Sequence, residues 1–294
     1  MVILPVMPHP WQLRGRTLTL DHPVVMGIVN VTPDSFSDGG QFFSPGAALA
    51  HAARLIAEGA DILDIGGEST RPQRAEPVPT DEELRRVLPV VRALAAERPE
   101  TILSVDTVKA AVAEAAIEAG AHIVNDVSGL RLDRAMIAVC AASGVGVVVM
   151  HSRGDVTDMA TYAHAEYGHF LDEMLDELRD RVNEVERGGV RRECIAVDPG
   201  IGFSKRAEHS LHALACLERL VAWGYPVVVG ASRKRFIGQV TRARQPAHRV
   251  YGSVGAAVAA YERGARVLRV HDVAPTRHAL DVVAAIRAAG GTQA

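Results

Sequence analysis

Residues 101–129 read TILSVDTVKAAVAEAAIEAGAHIVNDVSG, and they decide the fold. An apolar run closes on Asp106 and gives way to an alanine-rich helical segment over 108–119. Gly120 follows, and a second apolar run, from His122, ends at Asn125-Asp126. Neither run alternates polar with apolar residues, as expected of strands covered on both faces in a parallel sheet. A glycine just past the helix suits the left-handed conformation that ends it. The unit is strand, helix, strand with short links, which implies a right-handed crossover.

The same unit recurs on both sides. Strand-like runs begin at Val24 (VVMGIVNV), Asp61 (DILDIGG), Thr101, His122, Gly144 (GVGVVVMH), Cys194 (CIAVDPG), Pro226 (PVVVGAS) and Arg266 (RVLRVHDV). Helical text covers 47–58, 81–96, 108–119, 162–187 and 251–263. Thr80 before three acidic residues and Pro45 after Ser44 supply helix starts. Gly59, Gly120 and Gly264 supply the stops. Eight β/α units are the count of a closed (β/α)8 TIM barrel; a doubly wound open sheet is the competing arrangement. With no linker in the pattern, residues 1–294 are expected to form a single domain. Residues 1–22 form an N-terminal extension, in which WQLRGRTLTL (11–20) predicts a hairpin that turns at Arg14-Gly15-Arg16 and closes the barrel bottom.

The composition narrows the function. A chain of 294 residues, 48% hydrophobic and 23% charged, needs no disulfide staples for its core. A net charge of −3, with acids and bases interspersed, leaves no footprint for nucleic acid. Cys140, Cys194 and Cys216 are too scattered for a disulfide framework. The first ten residues lack the basic start of a signal peptide, and no run is long enough to span a membrane. A cytoplasmic protein without nucleic-acid or membrane partners is expected.

The chemistry of a barrel gathers at the C-terminal ends of its strands. Here all eight ends carry polar groups: Asn30, Asp64, Asp106, Asn125-Asp126, His151, Asp198, Ser232-Arg233-Lys234, and Arg269 with His271 and Asp272. Buried without partners, such groups would destabilise the fold. Asp106, Asn125 and Asp198 suit the N–H-rich edge of a flat heterocycle. Lys234, Arg269 and His271 suit phosphate oxygens. Asn30 offers a hard oxygen for Mg²⁺ held jointly by protein, water and phosphate. A ring, a diphosphate and Mg²⁺ together point to displacement of pyrophosphate from a heterocyclic carrier. The long polar segments after the first two strands, TPDSFSDGGQFF and STRPQRAEPVPT, have the length of lids that exclude water or of disordered loops.

The blocks MGIVNVTPDSFSDGG, DIGGESTRP, SVDT, GAHIVNDVSG, MHSRG, DPGIGF, GASRKRFIG and RVHDV occur in this order from Met26 to Val273. In them the chain resembles the dihydropteroate synthases, pterin-binding TIM-barrel enzymes of folate biosynthesis. The resemblance implies a homodimer that joins 6-hydroxymethyl-7,8-dihydropterin diphosphate to 4-aminobenzoate with release of pyrophosphate. It implies Asn30 as the Mg²⁺ ligand, and Asp106, Asn125 and Asp198 as pterin-binding residues. Lys234 would contact the pterin, and Arg269 and His271 would grip the diphosphate. Thr70, Arg71 and Pro72, with Phe203 and Ser232, would frame the aminobenzoate, and Asp34 belongs to the loop over the leaving group. Asp106, Asp198, Lys234, Arg269 and His271 form the implied catalytic set. The implied mechanism is dissociative, with no covalent enzyme intermediate, and sulfonamides that mimic aminobenzoate are the expected inhibitors. The chain departs from the pattern at Gln73, where glycine is common, and Arg74 adds a charge, whereas Arg235 after SRK lies within the variation expected of the family.

Plainer readings stand beside these. His151 and Arg153 are weighed evenly between a site role and a strand-end histidine satisfied by backbone, and Asp126 is read as capping the next helix. His51, His164, His169 and His209 are read as solvated, and 172–192 as the exposed face of a long helix. The small-residue run GSVGAAVAA (252–260) permits close helix packing, against the barrel or a second copy. A pterin-binding relative without catalysis and a methyltetrahydrofolate-dependent methyltransferase are the alternative functions. The intact TPDSFSDGG, STRP and SRK blocks disfavour both.

Overall fold

In the computed structural model the described residues are 10–32, 45–68 and 77–291. A hairpin comes first, with β1 (Trp11–Leu13) antiparallel to β2 (Arg16–Leu18). Eight parallel strands follow: β3 (Val24–Asn30), β4 (Ile62–Gly66), β5 (Ile102–Asp106), β6 (Ile123–Asp126), β7 (Gly146–Met150), β8 (Ile195–Asp198), β9 (Val228–Val229) and β10 (Val267–Val270). Their order is β8-β7-β6-β5-β4-β3-β10-β9. A parallel bridge between Val197 and Val227 brings the two ends together and completes the barrel, so the open sheet is excluded.

Helices cover the outside: α1 (Pro45–Ala57), α2 (Thr80–Glu97), α3 (Ala110–Glu118), α4 (Met136–Ser143), α5 (Phe170–Arg187), α6 (Ala207–Ala215), α7 (Glu218–Val221), α8 (Arg235–Thr241), α9 (Val250–Glu262) and α10 (Val273–Gly291). Among the described residues, no helix is long and apolar enough to cross a membrane.

Strand side chains alternate between two faces, and this alternation builds both core and site. Outward residues such as Val25, Leu63, Leu103, Val124, Val149 and Leu268 pack under the helices. Inward residues Val24, Met26, Ile62, Ile123, Val148, Ala196 and Val267 fill the lower barrel with Trp11, Leu13 and Leu20 of the hairpin region. Trp11 is fully buried, and its indole N–H donates to the Cys194 carbonyl at 2.8 Å. The hairpin thus plugs the bottom, as expected. Two residues further along each strand, the inward positions become Asp64, Ser104, Asn125, Asp198 and Arg269.

Four local expectations need correction. The helix expected over 162–187 begins at Phe170, because Glu173 Oε1 accepts the backbone N–H groups of Gly168 and His169, both at 2.6 Å, and caps it there. Thr80 is the first residue of α2 and makes no side-chain cap. Asp126 caps no helix; its Oδ1 accepts Ser128 N–H and Oγ–H, both at 2.7 Å, in a tight turn well before α4. His51, His164 and His209 have partners rather than solvent alone: Ile28 O at 3.2 Å, Asp158 Oδ2 at 2.7 Å, and the Phe170 ring stacked at 4.6 Å. Gly59, Gly120 and Gly264 adopt φ of 94°, 116° and 100°, the left-handed helix stops that their positions imply.

Candidate active site

Asn30, Gly66, Asp106 and Asn125 lie on one rung of the sheet, paired in register from β3 through β6. One step below, Asp64 is fully buried and acts as a hub. Its Oδ1 accepts Ser104 Oγ–H at 2.6 Å. Its Oδ2 accepts Asn125 Nδ2–H at 3.0 Å and Arg269 Nε–H at 2.6 Å. Arg269 also donates through Nη2 to Asp106 Oδ2 at 2.5 Å. One guanidinium therefore bridges two carboxylates that would otherwise repel each other across the mouth.

The electrostatics follow from burial. Desolvation pushes Asp106 up to about 7 against the pull of Arg269, and Asp64 adds to the rise. Burial also raises Asp198, whereas Lys234, the Gly200 N–H, Lys205 and Arg269 pull it down. Desolvation lowers Lys234 to about 7, with Asp198 opposing the fall. Arg269 remains a firm cation, because Asp64 and Asp106 outweigh the cost of burying it. The site thus holds one carboxylic acid and one amine, Asp106 and Lys234, displaced far from their usual ranges, with Asp198 raised beside them, a pattern characteristic of reactive sites.

The turn after β8 carries Phe203, and the turn after β9 carries Ser232 and Lys234. Lys234 Nζ lies 4.2 Å from the Phe203 ring centroid and donates to Ile201 O. Ser232 Oγ lies 3.1 Å from His271 Nδ1 and accepts the His271 backbone N–H at 3.2 Å. Asn30 stands half-buried at the rim. No group of three or more His, Cys, Asp or Glu among the described residues could hold a metal. Arg235 turns away, donating to Ala160 O at 2.7 Å and covering the Tyr162 ring. Asp34, Thr70, Arg71 and Pro72 lie outside the described residues, as do Gln73 and Arg74.

The structure therefore joins Asp106, Asn125 and Arg269 through Asp64, sets Lys234 against Phe203, and pairs Ser232 with His271. Sequence reasoning placed Asp64 at a strand end but gave it no role. Its inward parity with Asp106, two strand residues from an inward isoleucine, was the available signal. Lys205 and Glu177 were missed altogether. His151 is satisfied by these two side chains rather than by backbone: Lys205 Nζ at 2.7 Å and Glu177 Oε2 at 3.1 Å.

The same barrel recurs among known proteins. The family model described as "Pterin binding enzyme" matches residues 26–271. The dihydropteroate synthase of Escherichia coli (strain K12) is 43% identical over 272 residues, 92% of this chain and 94% of the relative. The structure of Xanthomonas albilineans dihydropteroate synthase with 4-aminobenzoic acid superposes with a TM-score of 0.88 at 48% identity, covering 95% of this chain and 99% of that one. The same organism's enzyme in complex with 7,8-dihydropteroate gives a TM-score of 0.84 at 46% identity, covering 94% and 99%. On its fold, its mouth and these relatives, the chain belongs to the pterin-binding enzyme family, among the dihydropteroate synthases, transferases of folate synthesis.

Proposed function

We propose that the barrel mouth joins 6-hydroxymethyl-7,8-dihydropterin diphosphate to 4-aminobenzoate, releasing pyrophosphate. The observation that carries this is the hydrogen-bonded cluster of Asp64, Asp106, Asn125 and Arg269 at one end of the barrel. The ring's N–H donors meet Asp106 and Asp198, and Asn125 adds a carboxamide that both donates and accepts. Arg269 keeps further N–H donors beyond its two carboxylate bonds, and with His271 these face the diphosphate. Lys234 lies against the ring, while Phe203 and Ser232 bound the aminobenzoate side. The roles proposed for Thr70, Arg71 and Pro72 toward the aminobenzoate, and for Asp34 toward the leaving group, rest on the motif resemblance alone.

The reaction is dissociative. The methylene C–O bond breaks first, and its electron pair leaves with pyrophosphate. The resulting cation, delocalised into the ring, develops beside Asp106 and Asp198, whose negative charge lowers the barrier. The neutral aniline nitrogen then forms the C–N bond and loses a proton. No protein nucleophile takes part.

Mg²⁺ fits this site as a shared ion. The candidate protein ligand is the neutral Asn30 amide, at a rim without an acidic cage among the described residues, and Mg²⁺ commonly binds through few protein oxygens plus phosphates and waters. Bound there, it supplies charge neutralisation for the departing diphosphate.

The chain acts as one domain spanning 1–294, in the cytoplasm, where three free cysteines (two of them buried) are at home. It pairs as a homodimer through the face around α8 and α9. Val240 and Tyr251 are 63% and 90% exposed there, beside an apolar groove of about 320 Å³ lined by Leu211, Phe236 and Ala256. Exposed apolar side chains gathered around a groove favour a protein contact. A monomeric sedimentation coefficient, unchanged by Val240→Glu, would remove the dimer.

The deciding test is pyrophosphate release from the dihydropterin diphosphate with Mg²⁺, with and without 4-aminobenzoate, beside Lys234→Ala. Release coupled to dihydropteroate, and lost in the variant, supports the reaction. Tight pterin binding without ligated product would mark a non-catalytic relative.

A further inference from the structure

Behind the pocket lies a buried ammonium that the reaction does not use. Lys205 is only 1% exposed, yet its Nζ has three acceptors: His151 Nδ1 at 2.7 Å, Phe203 O at 3.1 Å and His151 O at 3.5 Å. Three acceptors match the three donors of an ammonium. For His151 Nδ1 to accept, the ring must be neutral with its proton on Nε2, and Glu177 Oε2 receives that proton's hydrogen bond at 3.1 Å. Burial and the neighbouring Lys205 hold His151 down at about 4, so the ring is neutral at physiological pH. Arg153 fixes Glu177 in turn, its Nε donating to Oε2 at 3.0 Å.

The chain of bonds ends beneath the pterin-binding carboxylate. His151 N–H donates to Asp198 O at 2.9 Å, and Asp198 Oδ1 accepts Gly200 N–H at 2.7 Å. Gly200 has φ of 66°, and a Cβ there would overlap the His151 carbonyl oxygen, so the turn lies flat on the end of β7. Lys205 binds that turn again at Phe203 O.

We propose that Lys205 is a positioning residue for the pterin site: held by neutral His151 and Glu177, it fixes the 198–203 turn and adds to Lys234 as a second cation behind the Asp198 carboxylate. This rests on the ring-binding role of Asp198. The charged groups facing Asp198 are Lys234 from the turn after β9, Lys205 from the turn after β8 and Arg269 from β10. Those facing Lys205 are Asp198, Lys234, Glu177 from α5 and Arg153 from the segment after β7. Burial lowers Lys205 strongly and raises Asp198, and each group opposes the other's shift.

The test is the affinity of the unreactive alcohol 6-hydroxymethyl-7,8-dihydropterin, measured calorimetrically between pH 6 and 8.5, with thermal unfolding alongside. In Lys205→Met, Asp198 loses a cation and its carboxyl protonates at higher pH. Acid weakening of binding therefore sets in at higher pH than in wild type, by about one pH unit for each tenfold gain in the carboxyl's proton affinity, and affinity recovers toward wild type at pH 8.5. Glu177→Gln, at a side chain 41% exposed, leaves the pocket untouched and shifts the curve the same way by less; it decides the matter if Lys205→Met does not fold. Curves parallel to wild type, with only a lowered melting temperature, overturn the role of Lys205 and leave the synthase reaction standing. A wild-type protein that does not bind the alcohol at any pH overturns the ring-binding role of Asp198 as well.

Discussion

Arg269 reaches across the barrel mouth to Asp106: Nη2 stands 2.5 Å from Oδ2, although β4 and β3 separate their strands in the ring. The same guanidinium holds Asp64 through Nε, so it neutralises two inward carboxylates at once. Removing it leaves buried charge without compensation. Arg269→Met is expected to cost about 3–5 kcal/mol of stability at neutral pH. The loss shrinks toward pH 5, where Asp106, already pushed up to about 7, is protonated. Denaturant titrations at pH 5 and 7.5 check this, and an equal loss at both would refute the electrostatic account.

Activity should be bell-shaped in pH, centred near neutrality. Asp106 sits at about 7 because burial raises it, so its negative charge is present above that value and lost below. Lys234 sits at about 7 because burial lowers it, so its positive charge is present below that value and lost above. Asp106 sets the acid limb and Lys234 the alkaline one. The profile of kcat/KM should therefore keep its acid limb in Lys234→Arg while the alkaline limb moves up or vanishes. An alkaline limb left in place by that substitution would assign it elsewhere.

A second ion-paired cluster ties Glu68, just past β4, to α2 and to Val78 before it. Lys109 Nζ donates to Glu68 Oε2 at 2.7 Å and to Glu83 Oε2 at 2.6 Å, and Glu68 Oε1 accepts Val78 N–H at 2.7 Å. Glu83 is fully buried. Lys109→Met is expected to destabilise by about 3–5 kcal/mol, because it strands a buried carboxylate. Adding Glu83→Gln should restore part of that, and a double-mutant cycle with no coupling would dismiss the pair.

The hairpin plug is a packing element and should behave as one. Trp11 is fully buried against Met26, Ile123 and Val148, and its N–H is satisfied by Cys194 O. Trp11→Ala should cost about 3–5 kcal/mol through lost burial and the cavity left behind. The KM values, set at the opposite end of the barrel, should stay close to wild type in steady-state assays below the melting temperature.

The order of strands and helices was legible because it is written locally. Unbroken Val and Ile runs mark doubly covered strands, and Gly59, Gly120 and Gly264 mark the helix ends where positive φ is required. The polar strand ends were equally legible, since Asp106, Asn125, Asp198 and Arg269 interrupt apolar text. Where helical composition runs past a tertiary cap, as before Phe170, the sequence misled, because Glu173 folds back onto Gly168 and His169.

By itself, then, the sequence determined the β/α alternation, the hairpin, and which residues stand at the mouth, through period, propensity and motif. Tertiary structure alone decided their partners. Asp64, Asn125 and Arg269 come from β4, β6 and β10 and are distant in sequence, yet barrel closure and strand parity turn them inward onto one another. Asp126, the next residue after Asn125, turns outward for the same reason and bonds Ser128 instead. Glu177 reads as one more charge on a solvated helix face until α5 packs beside β7 and meets His151. Hydrogen bonds between distant residues leave no periodic trace in the chain, because they depend on closing the ring rather than on any local preference.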